Sequence, residues 1–202
     1  MPGPVDEDKR ATLRRFAALG ATAPIVGSAT GRAAADDNGT REAIVGYLSA
    51  TPGAHFSKLR DDLSLGTGET QYHLRRLEDA GSIESMKDGE YRRYYPAGRF
   101  DRFDRLALGY LRRETPRGIL IALLRDPTVT GASIADALGV SRPTVSAAAG
   151  DLAEAGLLDR SDGYRVEQPE HVIALLVRYA DSFGPDAVAF ADEAAAYLSY
   201  DP

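Results

Sequence analysis

Apolar residues recur along this chain at intervals of three and four, the spacing of one helix face, and the same recurrence happens twice. Shifted by 75 residues, the chain falls on itself: Ile44 on Ile119, Leu48 on Leu123, Leu59 on Ile134, Leu63 on Leu138, Leu65 on Val140, Leu77 on Leu152 and Ile83 on Leu158. Ala80-Gly81 falls on Ala155-Gly156 and Pro52 on Pro127, without a gap. A shared apolar skeleton at one offset predicts two copies of one small fold, too few for a solenoid but enough for tandem domains.

Each copy reads as three helical stretches and a hairpin. In the first, Arg41 to Ala50 is helical, Thr51-Pro52-Gly53 stops it, and His55 to Leu63 forms a short second helix. Ser64-Leu65-Gly66 is a turn, Thr67 the expected N-cap of a third helix through Leu77, and Gly81 its terminator. Ser82 to Met86 and Glu90 to Tyr95 read as strands, with Asp88-Gly89 between them as a hairpin signal. Helix, helix, glycine-containing turn, helix and hairpin is the plan of a winged helix-turn-helix. The second copy follows with Thr115 to Arg125, Ser133 to Leu138, Ser141 to Ala155 and a hairpin around Asp162-Gly163. The expected fold class is therefore mainly α with small β-wings.

The two third helices differ in chemistry. With Thr70, Leu74 and Leu77 as the core stripe of the first, the opposite face carries Gly68, Tyr72, Arg75 and Arg76, with Glu69 and Gln71 at its edges and Thr67 at its start. Arginine can pair bidentately with guanine and glutamine with adenine, and Gly68 leaves room for close approach to a duplex. The hairpin adds Lys87, Arg92 and Arg93, side chains suited to phosphates. A solvated polar helix face would carry similar residues. The helix-turn-helix plan and the basic hairpin together favour double-stranded DNA. In the second copy the core stripe is Val145, Ala149 and Leu152, and the opposite face is Pro143, Ala147, Gly150 and Asp151. That face of small residues suits packing against another helix, and points to dimerisation, partner binding or sensing. Ser141, Arg142 and Thr144 at the helix start are its possible secondary DNA contacts.

Charge follows the same division. The chain has 202 residues and a net charge of −6. Residues 40–117 hold 14 Lys+Arg against 12 Asp+Glu, net +2, whereas residues 118–202 hold 5 against 13, net −8. The acidic surplus with few lysines suits solubility in high salt, where phosphate contacts weaken and base contacts and shape must carry more. There is no cysteine, so disulfides and thiolate sites are excluded. His55, His73 and His171 are scattered without metal-ligand spacing, and His73, beside the core stripe, is expected to be structural. No nucleotide-binding loop, nucleophile elbow or zinc-protease motif appears, so neither an enzyme nor a cofactor is expected.

The remaining segments frame the two copies. Arg99 to Arg113 reads as a connecting helix, apolar on one side and arginine-rich on the other (Arg99, Arg102, Arg105, Arg112, Arg113), which would space the domains and could touch DNA backbone. Pro169 to Phe183 and Asp186 to Tyr200 read as C-terminal helices, split at Gly184-Pro185, whose apolar stripes either cover the second copy or make a homodimer. Residues 1–39 read as a flexible or partly helical extension. Arg14-Arg15 and the small-residue run after it resemble a twin-arginine export signal. Phe16 directly after the second arginine, Pro24 and the weak hydrophobicity argue against one, and no membrane span is expected.

Residues from about 40 to 200 resemble the two-domain winged helix-turn-helix transcriptional regulators common in halophilic archaea. The resemblance is carried by Pro52-Gly53-Ala54-His55-Phe56, Gln71-Tyr72-His73-Leu74-Arg75-Arg76-Leu77, Tyr94-Tyr95-Pro96 and Leu111-Arg112-Arg113-Glu114-Thr115. It implies sequence-specific DNA binding and transcriptional control in the cytoplasm. The chain departs from the family in residues 1–39 and at Ala147-Ala148-Ala149, where bulkier polar residues are usual. The competing reading is a winged-helix adaptor that binds proteins without reading DNA.

Overall fold

The computed structural model describes residues 32–197; the Arg14-Arg15 stretch and the apolar run after it lie outside them. The chain divides into two units between Phe100 and Asp101. The fold is mainly α with two small antiparallel sheets. In the first unit, α1 spans Arg32–Ala50, β1 Ala54–His55, α2 Phe56–Asp62, α3 Thr67–Asp79, β2 Ile83–Asp88 and β3 Tyr91–Pro96. Ile44, Tyr47, Leu48, Leu59, Leu63, Leu74, Leu77, Ile83 and Tyr94 form one buried cluster, so the repeating skeleton is the core.

Three features differ from the sequence expectation, each for a local reason. Helix α1 starts at Arg32, not Arg41. Its added turns are tied down at Asp37, which pairs with Arg41 at 3.6 Å and lies 3.5 Å from Nε2 of the buried His73 on α3. The N-cap of α3 is Gly66, not Thr67. Thr70 Oγ1 donates to the Gly66 carbonyl at 2.8 Å, and the Glu69 carboxylate accepts from the Gly66 N–H at 3.1 Å. The hairpin turn is Gly89-Glu90, because Asp88 pairs with Tyr91 as the last residue of β2. Gly89 takes φ +60° and Glu90 keeps a negative φ, the pattern of a turn that needs glycine at its first central position.

The second unit comprises α4 (Arg102–Leu111), α5 (Glu114–Arg125), α6 (Gly131–Leu138), α7 (Arg142–Glu154), β4 (Leu158–Asp159), β5 (Arg165–Val166), α8 (Pro169–Phe183), α9 (Pro185–Glu193) and a 3₁₀ turn at Ala194–Tyr197. The expected connector is a helix of this unit, starting at Arg102 because Asp101 caps it: the Asp101 side chain accepts from the Asp104 N–H at 2.8 Å. Its Ala107, Leu108 and Leu111 are fully buried. The apolar stripes of α8 and α9 turn inward, burying Val172, Ile173, Leu176, Tyr179, Ala187 and Phe190. Three arginines fasten these helices: Arg112 donates to the Ser182 carbonyl at 3.1 Å, Arg117 pairs with Asp186 at 2.7 Å, and Arg125 pairs with Glu193.

The offset of 75 residues holds for the hydrogen bonds as well as for the apolar residues. At the end of α3, Ser82 N–H donates to the Leu77 carbonyl and Gly81 N–H to Glu78, both at 2.9 Å; at the end of α7, Leu157 donates to Leu152 and Gly156 to Ala153, both at 2.9 Å. Each is the double-bonded helix stop that glycine in a left-handed conformation permits. The turn before each third helix also matches: Leu65 donates to Arg60 at 2.9 Å and Val140 to Ala135 at 3.0 Å. His55 Nδ1 accepts from Lys58 N–H at 3.3 Å as the cap of α2, and Thr130 does the same from Ser133 at 3.2 Å for α6.

Candidate nucleic-acid interface

Helix α3 presents its polar side outward because Thr70, His73, Leu74 and Leu77 are drawn into the core. Thr67, Gly68, Gln71, Tyr72, Arg75 and Arg76 are all exposed. Tyr72 and Arg76 are one turn apart, with the guanidinium 5.7 Å from the ring centroid. The Tyr72 hydroxyl, chiefly by hydrogen bonding and then by charge, pushes the Arg76 pKa above its ordinary value. Gln71 and Arg75 line a cleft of about 210 Å³ together with Phe56, Leu74, Glu78, Arg92 and Tyr94, between α3 and the hairpin. Burial raises the Tyr94 phenol above its usual pKa, which leaves a neutral wall there.

The hairpin is less basic in practice than its sequence suggests. Arg93 is buried, 3 % exposed, and its side chain is paired with Asp88 while Nη1 donates to the Gly53 carbonyl at 3.0 Å. It holds the sheet together and does not face a duplex, which corrects its expected place among the phosphate contacts. The reason is β1. That strand pairs with β3 on the side away from β2, so β3 is central and Arg93 is covered from both sides. Arg92 is exposed but shared: its Nη2 lies 2.8 Å from Glu78 and its Nε donates to Ser85 Oγ at 2.7 Å. Lys87 points outward at the hairpin. Glu69 serves the Gly66 cap, a position that favours a carboxylate near the helix N-terminus.

Helix α7 is built on the same plan with a different outer face. Ser141 caps it, its Oγ accepting from the Thr144 N–H at 3.2 Å. Val145, Ala149 and Leu152 are buried; Arg142, Pro143, Thr144, Ser146, Ala147 and Asp151 are exposed. At the positions equivalent to Gln71, Tyr72, Arg75 and Arg76 stand Ser146, Ala147, Gly150 and Asp151. The second hairpin does expose Arg160 and Arg165, which a reading of the helix faces alone overlooks. The Arg160 guanidinium lies 5.7 Å from the Tyr164 ring. Of the arginine row expected on the connecting helix, Arg112 and Arg113 follow the end of α4: Arg112 is held by Ser182, and Arg113 lies 4.6 Å from the Tyr110 ring. Among the described residues, no group of His, Cys, Asp and Glu could hold a metal ion, and no helix is long and apolar enough to cross a membrane.

Comparison with known proteins agrees with this architecture. Residues 38–108 match a family model described as an N-terminal HTH domain, and residues 115–165 match the MarR family. An uncharacterized HTH-type transcriptional regulator of Methanocaldococcus jannaschii is 40 % identical over 90 residues, which is 45 % of this chain but 22 % of that relative. No solved structure matches. The two matches fall on the two copies of the repeat, an N-terminal HTH domain on the first and the MarR family on the second.

Proposed function

We propose that the protein is a sequence-specific DNA-binding transcriptional regulator of the cytoplasm whose first domain reads the major groove and whose second serves dimerisation or sensing. The observation that carries this is the outer face of α3, where Gln71, Tyr72, Arg75 and Arg76 stand exposed together on a helix seated by its buried side. A major groove admits an α-helix, and these side chains match base edges there. Thr67 and Gly68 at the start of the helix would lie closest to the backbone. The second domain enters the proposal through the small outer face of α7, which suits apposition with a second copy of the chain. Ser141, Arg142 and Thr144 would then add only secondary contacts.

Chromatin immunoprecipitation with sequencing on the tagged full chain tests this, alongside the Arg75→Ala/Arg76→Ala variant. Discrete promoter peaks that vanish in the variant are expected. No enrichment in either protein, across growth conditions, would turn the reading towards a protein-binding adaptor. Sedimentation of the purified chain tests the homodimer; a monomer at all concentrations contradicts it.

A further inference from the structure

The first hairpin has lost most of the charge expected to grip phosphate. Between Ile83 and Pro96, Lys87, Arg92 and Arg93 are matched by Glu84, Asp88 and Glu90. Arg93 is buried against Asp88, and Arg92 leans on Glu78. Lys87 and the exposed Arg92, shared with Glu78, are then the outward cations of the hairpin. What the hairpin displays instead is an aromatic ring. Tyr91, the first residue of β3 after the Gly89-Glu90 turn, is 52 % exposed. Among the described residues it is one of three large hydrophobic side chains left in solvent, and Tyr72, on the outer face of α3, is another in the same unit.

The Tyr91 ring is held in place. It lies 4.9 Å from the His55 ring at an interplanar angle of 30°, and the Arg93 guanidinium sits 5.7 Å from its centroid. Both supports are themselves fixed. His55 caps α2 and pairs with Arg93 across β1 and β3, while Arg93 is bound to Asp88 and to the Gly53 carbonyl. An exposed ring with two rigid neighbours loses little freedom when it meets a surface, which is the condition for an efficient contact.

We propose that Tyr91 is the main contact of the first hairpin with DNA, and that it is non-ionic: the ring packs on deoxyribose and base edges, and Arg93 and His55 are its positioning residues. This rests on the DNA-binding reading above. It assigns the hairpin a grip that does not depend on counterion release, so it persists at salt concentrations where phosphate contacts fade.

The test uses the full chain and a fluorescein-labelled duplex recovered by selection from a random library with the wild-type protein, titrated by anisotropy at three potassium chloride concentrations. Tyr91→Ala is expected to bind about tenfold more weakly at every concentration, with the slope of log K against log salt unchanged, and Tyr91→Phe to stay within about twofold. Lys87→Ala is the ionic control, expected to lower the slope by about one phosphate. If Tyr91→Ala lowers the melting temperature, Tyr91→Leu keeps the apolar bulk of the strand and is expected to lose at least about threefold. Unchanged affinity in Tyr91→Ala, or a loss that alters the slope as Lys87→Ala does, overturns the proposal and leaves the DNA-binding reading intact. A wild-type protein that enriches no duplex overturns both.

Discussion

The two domains of this protein share the hydrogen bonds of their helix stops and turns but not their outward faces. The helix stops at Gly81 and Gly156, the turns at Leu65 and Val140, and the caps at His55 and Thr130 match residue for residue at one offset. Across that constant frame, Arg75 and Arg76 become Gly150 and Asp151. A fold therefore fixes where a recognition helix stands, and leaves what it can recognise to the few side chains that the core does not hold. The second domain also uses its arginines differently. Arg112, Arg117 and Arg125 fasten α8 and α9 onto the domain, a task with no counterpart among the described residues of the first.

The most severe way to disturb the comparison is at Arg93, where a buried ion pair supports the first hairpin and the two-stranded second hairpin has no equivalent. Arg93→Met should cost about 3–5 kcal/mol in urea unfolding, because it breaks a buried ion pair and the bond to the Gly53 carbonyl, whereas Lys87→Met should stay within about 0.5 kcal/mol. An Arg93→Met protein as stable as wild type would show that the pair with Asp88 does not support the hairpin.

A smaller effect is expected at the turn before the third helix. Ser64 holds φ +54° where the second copy has Gly139 at +66°. A left-handed serine carries about 1 kcal/mol of steric cost, partly offset by its smaller chain entropy when unfolded. Ser64→Gly should leave stability unchanged or raise it by up to about 1 kcal/mol, and Gly139→Ser should lower it by about 1 kcal/mol. A loss of stability in Ser64→Gly, or a gain in Gly139→Ser, would show in a thermal melt that the two turns are not equivalent.

The smallest expected effect is a pH dependence in the second unit. Burial pushes the Asp186 carboxyl upward, but the hydrogen bond and charge of Arg117, with help from backbone N–H groups, outweigh it and hold the carboxyl below its usual range. A depressed folded pKa gives stability that is present above the unfolded value of about 3.9 and is lost as pH falls through the folded one. The melting temperature should therefore decline below about pH 4, and less steeply in Asp186→Asn. Asp186 is 41 % exposed, so solvent screens the effect. Identical acid profiles for the two proteins would remove Asp186 from the account.

Much of this was legible in the chain because apolar periodicity reports burial directly. The repeat at Ile44, Leu48, Leu59, Leu63, Leu77 and Ile83 is the observed core, and the outward face of α3 followed from its complement. What stayed hidden depended on partners distant in sequence. The strand at Ala54-His55 is too short for an alternating pattern, yet it buries Arg93. The reach of Asp37 to His73 joins two helices that no local signal connects. The cap at Gly66 was missed because it relies on Glu69 and Thr70 and not on its own side chain. The stripes of α8 and α9 were apolar in either reading, and only packing showed that they close the second domain.

The central claim, that the first domain supplies the main DNA-reading contacts and the second at most secondary ones, is tested most directly by anisotropy titration of a duplex selected by the full-length protein. Arg75→Ala/Arg76→Ala should weaken binding by about a hundredfold, at about 1–3 kcal/mol for each bidentate contact, and Arg142→Ala by no more than about threefold. Comparable losses in the two variants, or no loss at Arg75 and Arg76, would contradict it.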